Sequence, residues 1–169
     1  MSSASVGSEN AAFRPMLRTR QQLTHEDCVA LLQSEKRGVL SVLGDQGYPY
    51  GVPINYWYCP ENGNLYFHGG ASGHKLDALA KCDKASFCVV EQGQKLEGEW
   101  WYRVRSVILF GHVRMVTDEA LAAEVCRRLS LQFTSDRNYI ESEIQNLLKV
   151  TRCFCLVPDH MTGKRVTEK

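Results

Sequence analysis

The chain has 169 residues, 44% of them apolar and 23% charged, with 20 basic side chains against 19 acidic ones. That length suits one domain with its own core, and a formal net charge of +1 removes the basic excess expected of a nucleic-acid binder. No apolar run approaches the roughly 20 residues of a membrane-spanning helix. The seven cysteines, Cys28, Cys59, Cys82, Cys88, Cys126, Cys153 and Cys155, are odd in number and form no Cys-x-x-Cys pair. They read as reduced, buried thiols of a cytoplasmic protein, and no metal site is expected.

Residues 1–15 are rich in Ser, Ala, Gly and Asn and lack the basic start and apolar run of a secretory signal. They read as a disordered tail, which leaves residues 16–169 as one domain. Thr24-His25-Glu26-Asp27 opens a helix: Thr24 caps it and two acids sit at its positive end. Residues 39–43 read as a strand, followed by the tight turn Gly44-Asp45-Gln46-Gly47. The aromatic, β-branched run 49–59 carries Pro49 and Pro53, so it belongs at an edge, at a bulge, or where backbone groups face a ligand. Pro60-Glu61-Asn62-Gly63 turns it into a second strand over 64–68.

Residues 74–81 have helical spacing and 85–91 read as a strand. Residues 92–99 read as an exposed loop. The stretch 100–116 is a long strand bent at Gly111, with Arg103 and Arg105 on one face, Val104 and Ser106 on the other, and a role facing a second copy of the chain. Helices are expected from Asp118 to about Leu131 and over 137–148. A last strand covers 150–157, with Cys153 and Cys155 on one side, and residues 160–169 read as a polar tail. Strands do not alternate with helices, so the fold class is mainly β, a small antiparallel barrel with peripheral helices.

The segment Leu65-Tyr66-Phe67-His68-Gly69-Gly70-Ala71-Ser72-Gly73-His74-Lys75 is the most informative. A strand enters a glycine-rich turn that opens a helix. Small residues let backbone N–H groups approach an anion, and the helix start adds free donors and partial positive charge. Ser72 offers a hydroxyl and Lys75 a full charge, as a phosphate monoester requires. The spacing is not that of a Walker A loop. On these features alone, an ordinary glycine-rich turn with an exposed lysine explains the segment equally well. His68 and His74 lack acid or thiol neighbours at ligand spacing and read as ordinary histidines rather than metal ligands. In Gly51-Val52-Pro53-Ile54-Asn55-Tyr56-Trp57-Tyr58, exposed backbone groups beside aromatics suit a flat heteroaromatic ring such as a flavin. An ordinary aromatic strand accounts for the same residues.

Taken together, Lys36-Arg37-Gly38-Val39-Leu40-Ser41-Val42, Gly47-Tyr48-Pro49-Tyr50-Gly51-Val52-Pro53-Ile54-Asn55-Tyr56, Leu65-Tyr66-Phe67-His68-Gly69 and Ser72-Gly73-His74-Lys75 resemble the pyridoxamine 5′-phosphate oxidase-like flavoproteins. The resemblance covers about residues 16–169 and is nearest to their nitroimidazole-resistance branch. It implies a six-stranded antiparallel split β-barrel that forms a homodimer with FMN between subunits. Arg37 and Val39 would lie beside the cofactor, and Pro53, Ile54, Asn55 and Tyr56 along its ring. His68, Gly69, Ser72, Gly73, His74 and Lys75 would surround its phosphate end. Arg105 and Ser106 would reach across from the partner, and the terminal Thr162, Gly163 and Lys164 would fold near the flavin. His68 also matches a histidine on the substrate side and is the candidate general acid. The chain lacks the C-terminal substrate-phosphate residues of the oxidases proper, so oxidation of the vitamin is not implied.

The activity this implies is electron transfer from NADH or NADPH, bound transiently, through FMN to a small electron-poor acceptor such as a nitroaromatic or quinone. A flavin- or haem-binding module without catalysis is the competing expectation, because the chain has no dinucleotide fingerprint. No nucleic acid or membrane partner is expected.

Overall fold

The computed structural model describes residues 13–95 and 97–167. Helix α1 (His25–Ser34) starts where expected, with the Thr24 hydroxyl accepting from the Asp27 amide at 3.1 Å. Strands β1 (Arg37–Leu43) and β2 (Pro49–Asn55) form a hairpin. Then come β3 (Trp57–Tyr58), β4 (Leu65–Gly70), α2 (His74–Lys81), β5 (Lys84–Val90), the two-residue β6 (Gln94–Lys95) and the long β7 (Tyr102–Met115). Helices α3 (Glu119–Leu131) and α4 (Arg137–Leu147) precede the final strand, β8 (Thr151–Thr167). Asp118 and Asp136 cap α3 and α4 through the Leu121 and Tyr139 amides.

All strand pairs are antiparallel, in the order β2-β1-β5-β7-β8-β4-β3, with β6 added alongside β7. The two ends of that order, β2 and β3, are separated in the chain by Tyr56 alone. The sheet therefore curls until its ends meet, which makes it a barrel. Counting β2 and β3 as one interrupted strand, and β6 as an extra rung in the expected 92–99 loop, leaves the six staves predicted from the sequence.

Alternation sorts the side chains. Leu40, Leu65, Phe67, Phe87, Leu109 and Phe154 fill the interior, all at most 1% exposed. Phe67 meets Phe87 edge-on and stacks on Phe154, both at 5.2 Å between centroids. On the opposite face of β4 and β8, Tyr66, Cys153 and Cys155 pack under α3 with Val125, Cys126 and Leu129. These two strands are thus buried on both faces over most of their shared length. Five of the seven cysteines are buried and none is in a disulfide among the described residues. No described helix is long and apolar enough to cross a membrane.

The C-terminus departs from the sequence-based reading. Residues 160–167 are not a tail but continue β8, pairing with β7 out to Arg103–Thr167. Pro158 lacks an amide hydrogen, and the register shifts there. Gly111 faces Pro158 while Phe110 faces His160, so Asp159 is the extra residue of a bulge. A side chain at Gly111 would collide with the Val157 carbonyl, so the crossing needs glycine. Most of the expected tail, residues 1–12, lies outside the described residues. Phe13 stacks on His160 at 4.5 Å.

Gly163 has a second constraint. Its missing side chain lets α1 approach β8, since a Cβ there would fall against Cys28 Sγ and 3.0 Å from Leu23 Cβ. Gly163→Ala should therefore lower stability by about 1–3 kcal/mol through overpacking, read as a lower denaturant midpoint. An unchanged midpoint would mean that α1 is free to shift.

Candidate functional site

The residues singled out in the sequence fall into three places. The first is the β4–α2 turn. Gly73 sits at φ 134°, in the region that favours glycine, and it starts α2. The Leu76 and Asp77 amides bond back to the Gly73 carbonyl at 2.9 and 3.1 Å. This leaves the His74 and Lys75 N–H groups without intrahelical partners, beside the exposed Ser72. Lys75 is half-buried. Its Nζ lies over Gly69, where a Cβ would stand 3.1 Å away, and 5.2 Å from the Phe154 ring centroid. No acidic group pairs with it among the described residues, and burial lowers its pKa below that of an ordinary lysine. His74 turns elsewhere: Nε2 lies 3.4 Å from Asp45 Oδ2, and the ring stacks on Tyr50 at 4.3 Å.

The second place is the β1–β2 hairpin. Arg37 pairs in register with Asn55, and Val39 with Pro53. Arg37 Nε donates to Asn55 Oδ1 at 3.1 Å, and its guanidinium lies 5.8 Å from the Phe133 ring centroid. Ile54 packs partly against the core. Tyr56 corrects the expectation that it lies along a ring ligand. It is 1% exposed and all its polar groups are used. Its hydroxyl donates to the Leu32 carbonyl at 2.9 Å, its amide donates to Lys36 O at 3.2 Å, and its carbonyl accepts from Gln132 at 2.8 Å.

The third place is the far side of the sheet. Val39 pairs with Cys88, Cys88 with Ile108 and Ile108 with Thr162, so Pro53 and Thr162 lie on one row, four strands apart. At the usual spacing of about 4.8 Å that is roughly 19 Å along the curved sheet. Ser106 pairs with Lys164 on the same outer face. Arg105, its chain neighbour, is directed to the other face and held by Glu91 through contacts of 2.9 and 2.7 Å. Gly163 is buried against α1. The outer face between the two groups carries exposed apolar side chains, including Val90 (53%), Ile108 (40%) and Phe110 (41%).

His68 stands apart from Lys75. It follows Phe67, so it points out of the barrel, toward α3 and α4, while the lysine ammonium rests at the interior edge near Phe154. His68 lines a cavity of about 240 Å³ with Asn55, Leu129, Ser130, Phe133 and Tyr139. The structure thus brings together His68 and Asn55, read separately from the sequence. The α3–α4 wall of that cavity was missed. Its residues are far from both in the chain; the cationic pair Lys36 and Arg37, both over the Phe133 ring, and the Gln132–Tyr56 hydrogen bond tie it to the hairpin.

No curated protein matches the chain in sequence. Solved structures do match in fold. A proposed 5-nitroimidazole antibiotic resistance protein from Bacteroides thetaiotaomicron has a TM-score of 0.74 at 19% identity, over 86% of this chain and 87% of that one. A FAD-binding protein from Mycobacterium smegmatis has a TM-score of 0.60 at 22% identity, over 86% and 98%. A haem storage protein from Vibrio cholerae has 0.60 at 15%, over 83% and 94%. The sequence description of the pyridoxamine 5′-phosphate oxidase family matches residues 24–165, which spans all of the barrel but the last two residues of β8 and includes every residue of the three places above, and the chain belongs to that family.

Proposed function

We propose that this protein binds FMN and is an oxidoreductase, taking electrons from NADH or NADPH and passing them to a small electron-poor acceptor such as a nitroaromatic or quinone. The observation that carries the reading is the β4–α2 turn: free helix-start amides, the Ser72 hydroxyl and a half-buried lysine without an acid partner. A phosphate dianion satisfies all of these at once. Lys75 has the reach to swing its ammonium from the Phe154 ring to such an anion.

The residues present fit the rest of the group as well. The Val39–Pro53 and Arg37–Asn55 rows offer a flat apolar strip edged by a guanidinium and an amide. The bound flavin supplies the two-electron chemistry. Around it, the Arg37–Asn55 pair orients the polar edge of the ring, Phe133 and Leu129 exclude water, and His68 holds a proton for the acceptor. The nitroimidazole-resistance and FAD-binding neighbours support a flavin in this fold.

The two outer-face groups, about 19 Å apart within one chain, support a homodimer. A flavin ring cannot span that distance, but a two-fold partner laid on the exposed Ile108 and Phe110 face brings the Ser106, Thr162 and Lys164 group of one chain against the hairpin of the other.

The purified protein should show flavin absorption near about 370 and 450 nm. Those bands should bleach with NADH or NADPH and return on adding a nitroimidazole. A colourless protein that takes up no FMN overturns the proposal; a Soret band in its place assigns haem instead. Flavin that resists both nicotinamides leaves binding without the enzyme activity.

Lys75→Met should weaken FMN binding by about 1.5–3 kcal/mol, a factor of about 10 to 150 in Kd. In the ligand-free protein the same change should remove a pH dependence. Because burial lowers the folded-state pKa of Lys75, the unfolded chain binds more protons at this group between that value and the usual lysine value, and the Lys75 contribution to stability rises with pH across that window. Thiols raised by burial, and Tyr56, pull stability down in the same alkaline range and are common to both proteins, so urea midpoints measured across the window should have a more positive slope against pH in the wild type than in Lys75→Met. An unchanged FMN affinity would move the phosphate away from this turn.

A further inference from the structure

Next to His68, on the side away from the hairpin, lies a group that the flavin reading does not use. His68 of β4 is the register partner of Cys153 of β8, so the two side chains are neighbours on the face under α3. Cys126, from the middle of α3, comes down onto both. Its sulfur is 3.7 Å from that of Cys153, and it lines one cavity with His68. Two thiols 27 residues apart are thus held within about 2 Å of disulfide bonding distance.

The two sulfurs are not equivalent. Cys153, 2% exposed, has the Ala122 carbonyl as well as the Cys126 sulfur 3.7 Å from its own sulfur, so its single S–H has two acceptors, which favours the protonated thiol. Cys126 faces cations and donors: the Cys153 thiol, His68 and, further off, Arg127. The neighbouring Cys153 thiol is the largest influence, and with His68 it outweighs burial and lowers Cys126 below an ordinary thiol. Cys153 is correspondingly raised. Arg127 is itself held by Glu124 and Glu141, and Glu143 lines the same cavity as Cys126.

Access is limited to small molecules. Cys126 lines a cavity of about 180 Å³ between α3, α4 and β4, with His68, Ser130, Tyr139 and Glu143 around it. His68, Ser130 and Tyr139 also line the cavity that Asn55 shares, so the two spaces adjoin. A volume of this size holds a few water-sized molecules, room enough for hydrogen peroxide and too little for a peptide disulfide.

We propose that Cys126 and Cys153 are a peroxide-reactive thiol pair, with Cys126 the attacking sulfur and Cys153 the resolving one. The Cys126 thiolate attacks one oxygen of hydrogen peroxide. The O–O bond breaks, an S–O bond forms, and the departing hydroxide takes a proton and leaves as water. The Cys153 sulfur then attacks the sulfenic sulfur. The S–O bond breaks, the S–S bond forms, and the second oxygen leaves as water with the proton of the Cys153 thiol. Two thiols lose two electrons and the peroxide gains them. A dithiol reductant reverses the reaction by exchange, taking the disulfide onto its own sulfurs. The product joins α3 to β8 directly beside His68. Nothing in this depends on a bound flavin.

The test uses the full chain, reduced and then exposed to hydrogen peroxide, alkylated and mapped by mass spectrometry. A peptide pair joining Cys126 to Cys153, two hydrogens lighter and restored by dithiothreitol, is expected, with Cys28 and Cys155 recovered as free thiols. Recovery of both Cys126 and Cys153 as free thiols under conditions that oxidise the more exposed Cys82 overturns the proposal, as does pairing of Cys126 with another cysteine. In Cys153→Ser, sulfenic acid should accumulate at Cys126 and be trapped by a dimedone probe; in Cys126→Ser no trapping at Cys153 is expected. The wild-type map stands even if a variant fails to fold. An ordinary thiol loses more than about fiftyfold of its thiolate from pH 8 to pH 6; closure in the wild type should slow by clearly less than that, and a fall of the full size would contradict Cys126 as the attacking group.

Discussion

The position of the candidate site depends on how Tyr56 is held. The sheet closes because β2 and β3, its two ends, are joined through this one residue, and the corner is pinned from three sides. The hydroxyl reaches the Leu32 carbonyl of α1, the amide reaches Lys36 just before β1, and the carbonyl takes Gln132 just after α3. Each bond is worth about 1 kcal/mol net, but leaving any of these buried groups unpaired costs more. Burial also pushes the hydroxyl pKa up, so it stays a donor at all ordinary pH values. One residue before this corner is Asn55. The Gln132 that pins it is followed by Phe133, so the hairpin, the end of α3 and the His68 cavity share one anchor.

The double burial of β4 and β8 supplies the second constraint. Along β4, Leu65 and Phe67 enter the barrel while Tyr66 and His68 leave it; along β8, Phe154 and Leu156 enter while Cys153 and Cys155 leave. His68 comes just where that double burial ends, so it is exposed and borders the cavity beside α3 and α4. The same strand then runs into Gly69 and Gly70, where the chain turns into α2. Alternation therefore separates the glycine-rich turn from His68 by a few residues, with one at the barrel mouth and the other on the face toward α3. Under the proposed function, ring and phosphate of a single flavin would meet different faces of the same short segment.

Much of this was legible in the chain. Helix α2 was read at its observed bounds because a glycine-rich turn opens it and its apolar residues recur at helical spacing. The Thr24 cap and the Gly111 bend were equally local signals. What failed was non-local. Strand β8 was read as ending at Val157 because the run after it is polar. The partner strand, with Gly111 opposite, absorbs Pro158 in a bulge. Tyr56 was read as a ligand contact because it stands in an aromatic strand beside Asn55; only the closure of the barrel shows that its ring points inward. Alternation already put Arg105 and Ser106 on opposite faces; what it did not show is that Glu91 claims the arginine, which takes it from the role across the subunits that the resemblance implied. The Cys126–Cys153 approach had no sequence signal at all, since helix and strand packing alone brings the two together.

The central claim is that the β4–α2 turn binds the phosphate end of a flavin. Calorimetric titration of the ligand-free protein with FMN and with riboflavin, which lacks only the phosphate, tests it most directly. Two or more charge-assisted hydrogen bonds at this turn should make FMN bind at least about 100-fold more tightly than riboflavin. Equal affinities for the two would contradict the account.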